Sequence, residues 1–179
     1  VGKIEIVDHQ VEHDGHIGAA RLKRREPDPF EEERLVSDSA PVVAIGGRTQ
    51  WEFGGRVETH DGADVREVRP PAGIVAVEAA DMTVRVRAGT TVAELDDALA
   101  EVGQTVALPP WPGATVGGVL AVGHSGLRHL GWGPVRDTVL EVRYVAAEGT
   151  VVKAGGPTVK NVSGFDLCRL RVGSLGTLG

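Results

Sequence analysis

Pro112-Gly113-Ala114-Thr115-Val116-Gly117-Gly118-Val119-Leu120-Ala121-Val122-Gly123-His124-Ser125-Gly126 is dense in glycine and carries no formal charge. Fixing a glycine costs more backbone entropy than fixing any other residue, so such density marks backbone that must come close to something. A pyrophosphate or a flat aromatic cofactor fits, because main-chain N–H groups cradle it with no side chain intervening. Thr115 is placed to open a helix whose first amides face a phosphate, while Gly117 and Gly118 admit a ring or diphosphate to the backbone. The competing reading is a tight helix–sheet crossing, which also selects small residues. The composition recurs at Gly46-Gly47-Arg48-Thr49-Gln50 and at Gly173-Ser174-Leu175-Gly176-Thr177-Leu178-Gly179. Three separated glycine loops point to one large, extended ligand.

Working outward, Pro41–Ile45 is a short apolar run that enters the first loop as a buried strand. Residues 74–77 and 83–88 read as two strands split by the polar turn at Ala80-Asp81. Thr91-Val92-Ala93-Glu94 is a capping box, followed by Val92, Leu95, Leu99 and Val102 on one helical face and by Gly103 as terminator. Thr138–Val145 and Thr150–Ala154 flank Ala147-Glu148-Gly149 as a hairpin, and 166–172 reads as a short helix. Val1–Val7 alternates like a strand, and a charged helix is expected within Pro27–Ser39. Strands outnumber helices, so the fold class is α+β.

Composition narrows the function. The 179 residues suit one domain with a small extension. Residues 1–40 hold six Lys/Arg against ten Asp/Glu, whereas 41–179 hold thirteen against fifteen, so the acidity concentrates in a leader that is read as a poorly assigned extension. Glycine is skewed the other way, with 14 of 25 in residues 111–179, where average usage predicts about five. A net charge of −6 and 4% aromatics oppose nucleic-acid binding, which wants basic stripes and stacking platforms. No apolar run reaches membrane-spanning length and no secretory leader opens the chain, so a soluble protein is expected. The lone Cys168 excludes an internal disulfide and suits a reducing cytoplasm. His9, His13 and His16 lack a second ligand cluster, so they are read as solvated side chains and no metal is expected.

Known nucleotide motifs are mostly missing. The first loop lacks the Lys-Ser/Thr of a nucleotide-hydrolysing P-loop, and no Gly-x-Gly-x-x-Gly opens a strand–helix unit. Gly131-Trp132-Gly133 comes nearest, but Pro134 and Arg136 break the pattern.

Taken in order, the pieces resemble something specific. They are Val43–Gln50, Val86–Leu95, Pro112–Gly118, Gly133–Asp137, and Lys160-Asn161-Val162-Ser163-Gly164-Phe165-Asp166-Leu167 leading to Gly173–Gly179. Residues 41–179 thereby resemble the FAD-binding domain of the vanillyl-alcohol-oxidase (PCMH) type, and in particular the FAD-binding subunits of bacterial glycolate oxidases. The resemblance implies a two-lobed α+β domain with FAD extended between the lobes. It implies that Gly46, Gly47, Arg48, Thr49 and Gln50 meet the pyrophosphate, chiefly through backbone N–H. Pro112, Gly113, Ala114, Thr115, Gly117, Gly118, Gly123, His124, Ser125 and Gly126 would lie along the diphosphate and flavin edge. Gly173, Gly176 and Thr177 would close from the second lobe.

The same resemblance implies hydride transfer from a 2-hydroxy acid to the flavin, in a cytoplasmic oxidoreductase that reaches a membrane through partner subunits. A truncated, non-catalytic FAD-binding or assembly module is the alternative. Relatives continue past the equivalent of Gly179 into another strand and a substrate-binding domain, so the domain is expected to be incomplete there and the catalytic base is unassigned. FAD is expected to be held without a covalent bond, with His124 bonding to it or facing water. Lys160, Asn161 and Asp166 are read as orienting a cofactor or closing a polar core, Cys168 as a small core residue, and Arg136-Asp137 as a local ion pair. Trp51, Trp111 and Trp132 are read as loop anchors.

Overall fold

The computed structural model describes residues 3–6, 42–54, 66–146, 150–156 and 164–178. Its main sheet grows from alternating apolar sequence. β5 (Thr83–Val86) turns Val84 and Val86 inward, as period-two alternation dictates, and pairs antiparallel with β4 (Ile74–Glu78). β6 (Val139–Val145) and β7 (Val151–Gly155) form the antiparallel hairpin expected from sequence, although its turn lies outside the described residues.

Between these two pairs runs β1 (Lys3–Ile6), parallel to both β5 and β6, giving the sheet order β4-β5-β1-β6-β7. Ile4 and Ile6 are fully or almost fully buried there. The acidic leader thus contributes the middle strand of the sheet. The expected helix within 27–39 and the histidines at 9, 13 and 16 lie outside the described residues.

The first lobe is carried by β2 (Val42–Ala44), paired parallel with β3 (Arg66–Val68). A 3-10 turn, Trp51–Gly54, follows the first glycine loop.

Helix α1 (Val92–Ala100) starts as its capping box requires. The Thr91 hydroxyl accepts from the Glu94 N–H at 3.2 Å, and the Thr91 N–H donates to Glu94 Oε2 at 2.9 Å. Val92, Leu95 and Leu99 are buried, but Val102 is 45% exposed because the helix has ended before its face recurs. α2 (Val116–Val122) is capped by Thr115 and ends at Gly123 in the left-handed conformation. A short α3 (His129–Trp132) and a 3-10 turn at Val135–Asp137 lead into β6, and α4 (Leu167–Arg171) lies on β6 and β7. The core joins Ile4, Ile6, Val84 and Val86 of the sheet to Leu95 and Leu99 of α1 and to Val116 and Val119 of α2.

One polar arrangement differs from the sequence reading, and a second goes beyond it. Asp137 takes its hydrogen bond from Arg169 of α4 at 3.1 Å rather than from Arg136. Neighbouring side chains diverge, and a residue from a packed helix reaches the carboxylate better. Glu141 is buried in β6 and holds two cations at once, Arg143 at 3.1 Å and Lys153 at 2.9 Å.

Candidate functional site

The three glycine loops converge. The first two pack backbone against backbone: a methyl on Gly47 would stand 1.9 Å from the Gly113 carbonyl oxygen, and one on Gly46 would stand 2.3 Å from Thr115 Oγ1. The third loop docks on the end of α2, where the N–H groups of Gly173 and Leu175 donate to Leu120 and Ala121 at 2.9 and 2.7 Å. Those are carbonyls that a helix end leaves without internal partners. Gly123, left-handed at φ 73°, leaves no room for a side chain, since a Cβ would lie 2.9 Å from Gly173.

Where the loops meet there is a cavity of about 190 Å³. Gly46, Ala88, Gly117, Gly118, Ala121, Ser174, Leu175 and Gly176 line it. So do Val142, Arg143 and Tyr144 of β6, with Cys168, Arg171 and Val172 of α4 and its exit. Of the residues expected to touch a cofactor, Gly46, Gly117, Gly118 and Gly176 line it.

The other expected residues lie around this wall in distinct roles. Thr115 is the buried cap of α2, and Ala114 is buried beside it with its carbonyl accepting from Val92 at 2.8 Å. Pro112 and Gly113 form the exposed turn before them. Ser125 accepts from the Val135 N–H at 3.0 Å, Gly126 turns the chain at φ 59°, and the Thr177 hydroxyl donates to Ser174 O. His124 is exposed outside the cavity lining, in a cluster with Trp111 at 5.1 Å and Phe53 at 5.6 Å.

The amides divide sharply between bonded and free. Contrary to the expectation of a phosphate at the start of α2, its first N–H groups are already used. Val116 donates to Thr90 O, Gly117 to Ala88 O, and Gly118 to Thr115 Oγ1. The crossing of α2 over the turn after β5 consumes them. In the first loop the position is reversed: the N–H groups of Gly46, Gly47, Arg48 and Thr49 donate to no other described residue. Arg48 is left-handed at φ 54° within that run, and turns of this kind aim successive amides into an anion-binding concavity. Its side chain pairs with Glu67 and lies 5.2 Å over the Trp51 ring.

Three side chains hold buried polar atoms with no partner among the described residues: Gln50, Arg171 and, at Oε1 alone, Gln104. Gln50 is 7% exposed, yet neither its amide oxygen nor its nitrogen has a partner. Arg171 stacks on Tyr144, 3.2 Å from the ring centroid, and its Nε and Nη1 are buried without acceptors. Each such group costs about 1–3 kcal/mol, so they mark places where a ligand's polar atoms fit. Cys168, by contrast, is satisfied. Its thiol donates to Ala154 O at 3.3 Å, and burial, followed by the nearby Asp166 charge, pushes its pKa up. Asp166 caps α4 by accepting from the Arg169 N–H at 3.0 Å, which accounts for it without a ligand. Lys160 and Asn161 lie outside the described residues.

Comparison with known proteins decides the family. A profile described as FAD binding domain matches residues 34–155, well over half of the chain. The chain belongs to the FAD-binding domain family. It is 40% identical to glycolate oxidase subunit GlcE of Escherichia coli K12 over 149 residues, which is 82% of this chain and 41% of that protein. A D-lactate dehydrogenase of Archaeoglobus fulgidus is 39% identical over 78% of this chain and 31% of its own length. Glycolate oxidase subunit GlcD of Bacillus subtilis is 34% identical over 78% of this chain and 30% of its own. A solved alkyldihydroxyacetonephosphate synthase superposes with a TM-score of 0.62 at 21% identity, covering 78% of this chain and 25% of that one, and so shares the fold. The chain therefore spans less than half the length of the relatives it matches.

FAD is the cofactor of this family, and the site fits it on its own terms. The cavity wall of small residues suits a flat ring, while the amides of 46–49 and the guanidinium, without acceptors among the described residues, suit phosphate oxygens. Arg143, Tyr144 and Arg171 were not anticipated from sequence. Only the alternation of β6 and the position of Arg171 two residues before the last glycine loop could have flagged them.

Proposed function

We propose that this chain is the FAD-binding part of an oxidoreductase that oxidises a 2-hydroxy acid. The single observation that carries the reading is the convergence of all three glycine loops on one cavity, in a chain 40% identical to a glycolate oxidase subunit. The relatives are named for glycolate and D-lactate, and both are 2-hydroxy acids.

In this reading the amides of Gly46, Gly47, Arg48 and Thr49, with the buried side chain of Gln50 that follows them, bind the pyrophosphate. Gly117 and Gly118 admit the ring to the backbone, and Ser174 to Gly176 shield it from water on the far side. Pro112 to Thr115 hold the first loop in place from behind, through the contacts at Gly46 and Gly47. The surrounding shell of Gly123, Ser125, Gly126, Gly173 and Thr177 fixes the path of the wall. Attachment is non-covalent, because His124 lies outside the cavity lining among Trp111 and Phe53. Bound FAD supplies the hydride acceptor. The enzyme works in the cytoplasm with further subunits, and no described helix is long and apolar enough to cross a membrane.

Anaerobic mixing of the FAD-loaded protein with glycolate or D-lactate is the test. Bleaching of the flavin absorbance is the expected outcome. A flavin that stays oxidised with every 2-hydroxy acid, while dithionite reduces it, overturns the activity and leaves a non-catalytic binding module.

A further inference from the structure

Arg171 stands out because no carboxylate among the described residues pairs with its charge. Its guanidinium is held flat on the Tyr144 ring, and Nε and Nη1 are buried with no acceptor among the described residues. The carboxylates of β6, of the turn before it and of the α4 cap are committed elsewhere. Glu141 holds Arg143 and Lys153, while Asp137 and Asp166 both hold Arg169. Arg171 also lines the cavity, together with Gly46, Gly117, Gly118 and Gly176. A half-buried cation that lines a cavity, with two buried donors unpaired among the described residues, is expected to take an oxyanion, because a guanidinium bonds phosphate and carboxylate oxygens more strongly than neutral acceptors.

We infer that Arg171 is an oxyanion-binding residue of this cavity, stacked on Tyr144 so that its free N–H groups bond the oxygens of a phosphate or a carboxylate. This rests on the FAD reading and extends it, since that reading assigned pyrophosphate binding to the first loop. The two sources of such oxygens are the cofactor's diphosphate and the carboxylate of a 2-hydroxy acid. Tyr144 acts as a positioning residue. Its ring fixes the guanidinium plane and limits the ordering that binding requires.

The test compares wild type with Arg171→Met, which keeps the length and removes the charge, and Arg171→Lys, which keeps the charge. FAD, ADP and inorganic pyrophosphate are titrated into the apoprotein, and glycolate into the FAD-loaded protein under anaerobic conditions. Loss of a charge-assisted contact weakens binding by roughly ten- to a hundredfold. A drop of that size for FAD, ADP and pyrophosphate in Arg171→Met, partly restored in Arg171→Lys, assigns the oxyanion to the diphosphate. A drop confined to glycolate assigns it to the substrate carboxylate. Unchanged affinities for all four ligands in a folded Arg171→Met protein overturn the inference.

Apoprotein unfolding gives an independent readout. It confirms that Arg171→Met, which also loses the stacking on Tyr144, still unfolds cooperatively before its affinities are compared. Wild type that binds pyrophosphate in an Arg171-dependent way but ignores FAD would refute the cofactor reading and keep this one.

Discussion

Gly47 shows what the missing side chains do. Its absent Cβ makes room for the Gly113 carbonyl rather than for a ligand directly, so Gly47→Ala forces two backbone loops apart. We expect this change to cost about 1–3 kcal/mol in urea unfolding and to weaken FAD in a fluorescence titration, because the same loop carries the free amides. Cys168 belongs to the opposite class, a buried thiol whose proton is held by its surroundings. Its folded pKa is raised, so its contribution is complete below the unfolded value of 9.0 and is lost as pH climbs beyond it. Wild type should therefore lose more stability above pH 9.0 than Cys168→Ala does. Iodoacetamide should label the thiol far more slowly in native protein than in denaturant.

At this scale the sequence announced the glycines but not what they touch. Gly46, Gly117, Gly118 and Gly176 were placed at the cofactor wall by resemblance, and the fold does line a cavity with them. Arg171 was illegible, since an arginine in a short helix looks like a solvated one until packing shows its donors buried.

Among the elements, α1 was the most legible. Its cap, its apolar face and its terminator are local events that sequence spacing encodes fully. Thr91→Ala should cost about 1 kcal/mol in thermal or urea unfolding. Glu94 is held below its ordinary value of 4.5 by the Thr91 N–H first and the Thr91 hydroxyl second. Stability from that pairing is present above 4.5 and lost as pH falls through the lower folded value, so the gap between wild type and Thr91→Ala should narrow in acid. The role of α2 was less legible. Its cap at Thr115 was foreseen, but not that Ala88 and Thr90 would occupy its first amides. Those partners come from a distant turn, and spacing within 112–126 carries no record of them.

For the whole molecule, the placement of β1 is the feature that local reading could not reach. Val1–Val7 alternates, but which strands it joins depends on long-range parallel pairing, which leaves no short-range signature. Because β1 bridges β5 and β6, Ile6→Ala should cost about 2–5 kcal/mol and lower the midpoint of a single cooperative transition. Loss of a mere appendage would leave that midpoint unchanged.

The proposed dinucleotide site depends on the convergence of three distant glycine loops. Calorimetric titration of the folded apoprotein with FAD tests this most directly. One equivalent should bind with a measurable heat and raise the unfolding temperature, as selective binding to the native state requires. Folded protein that takes up no FAD, with neither heat nor thermal shift, would contradict the account.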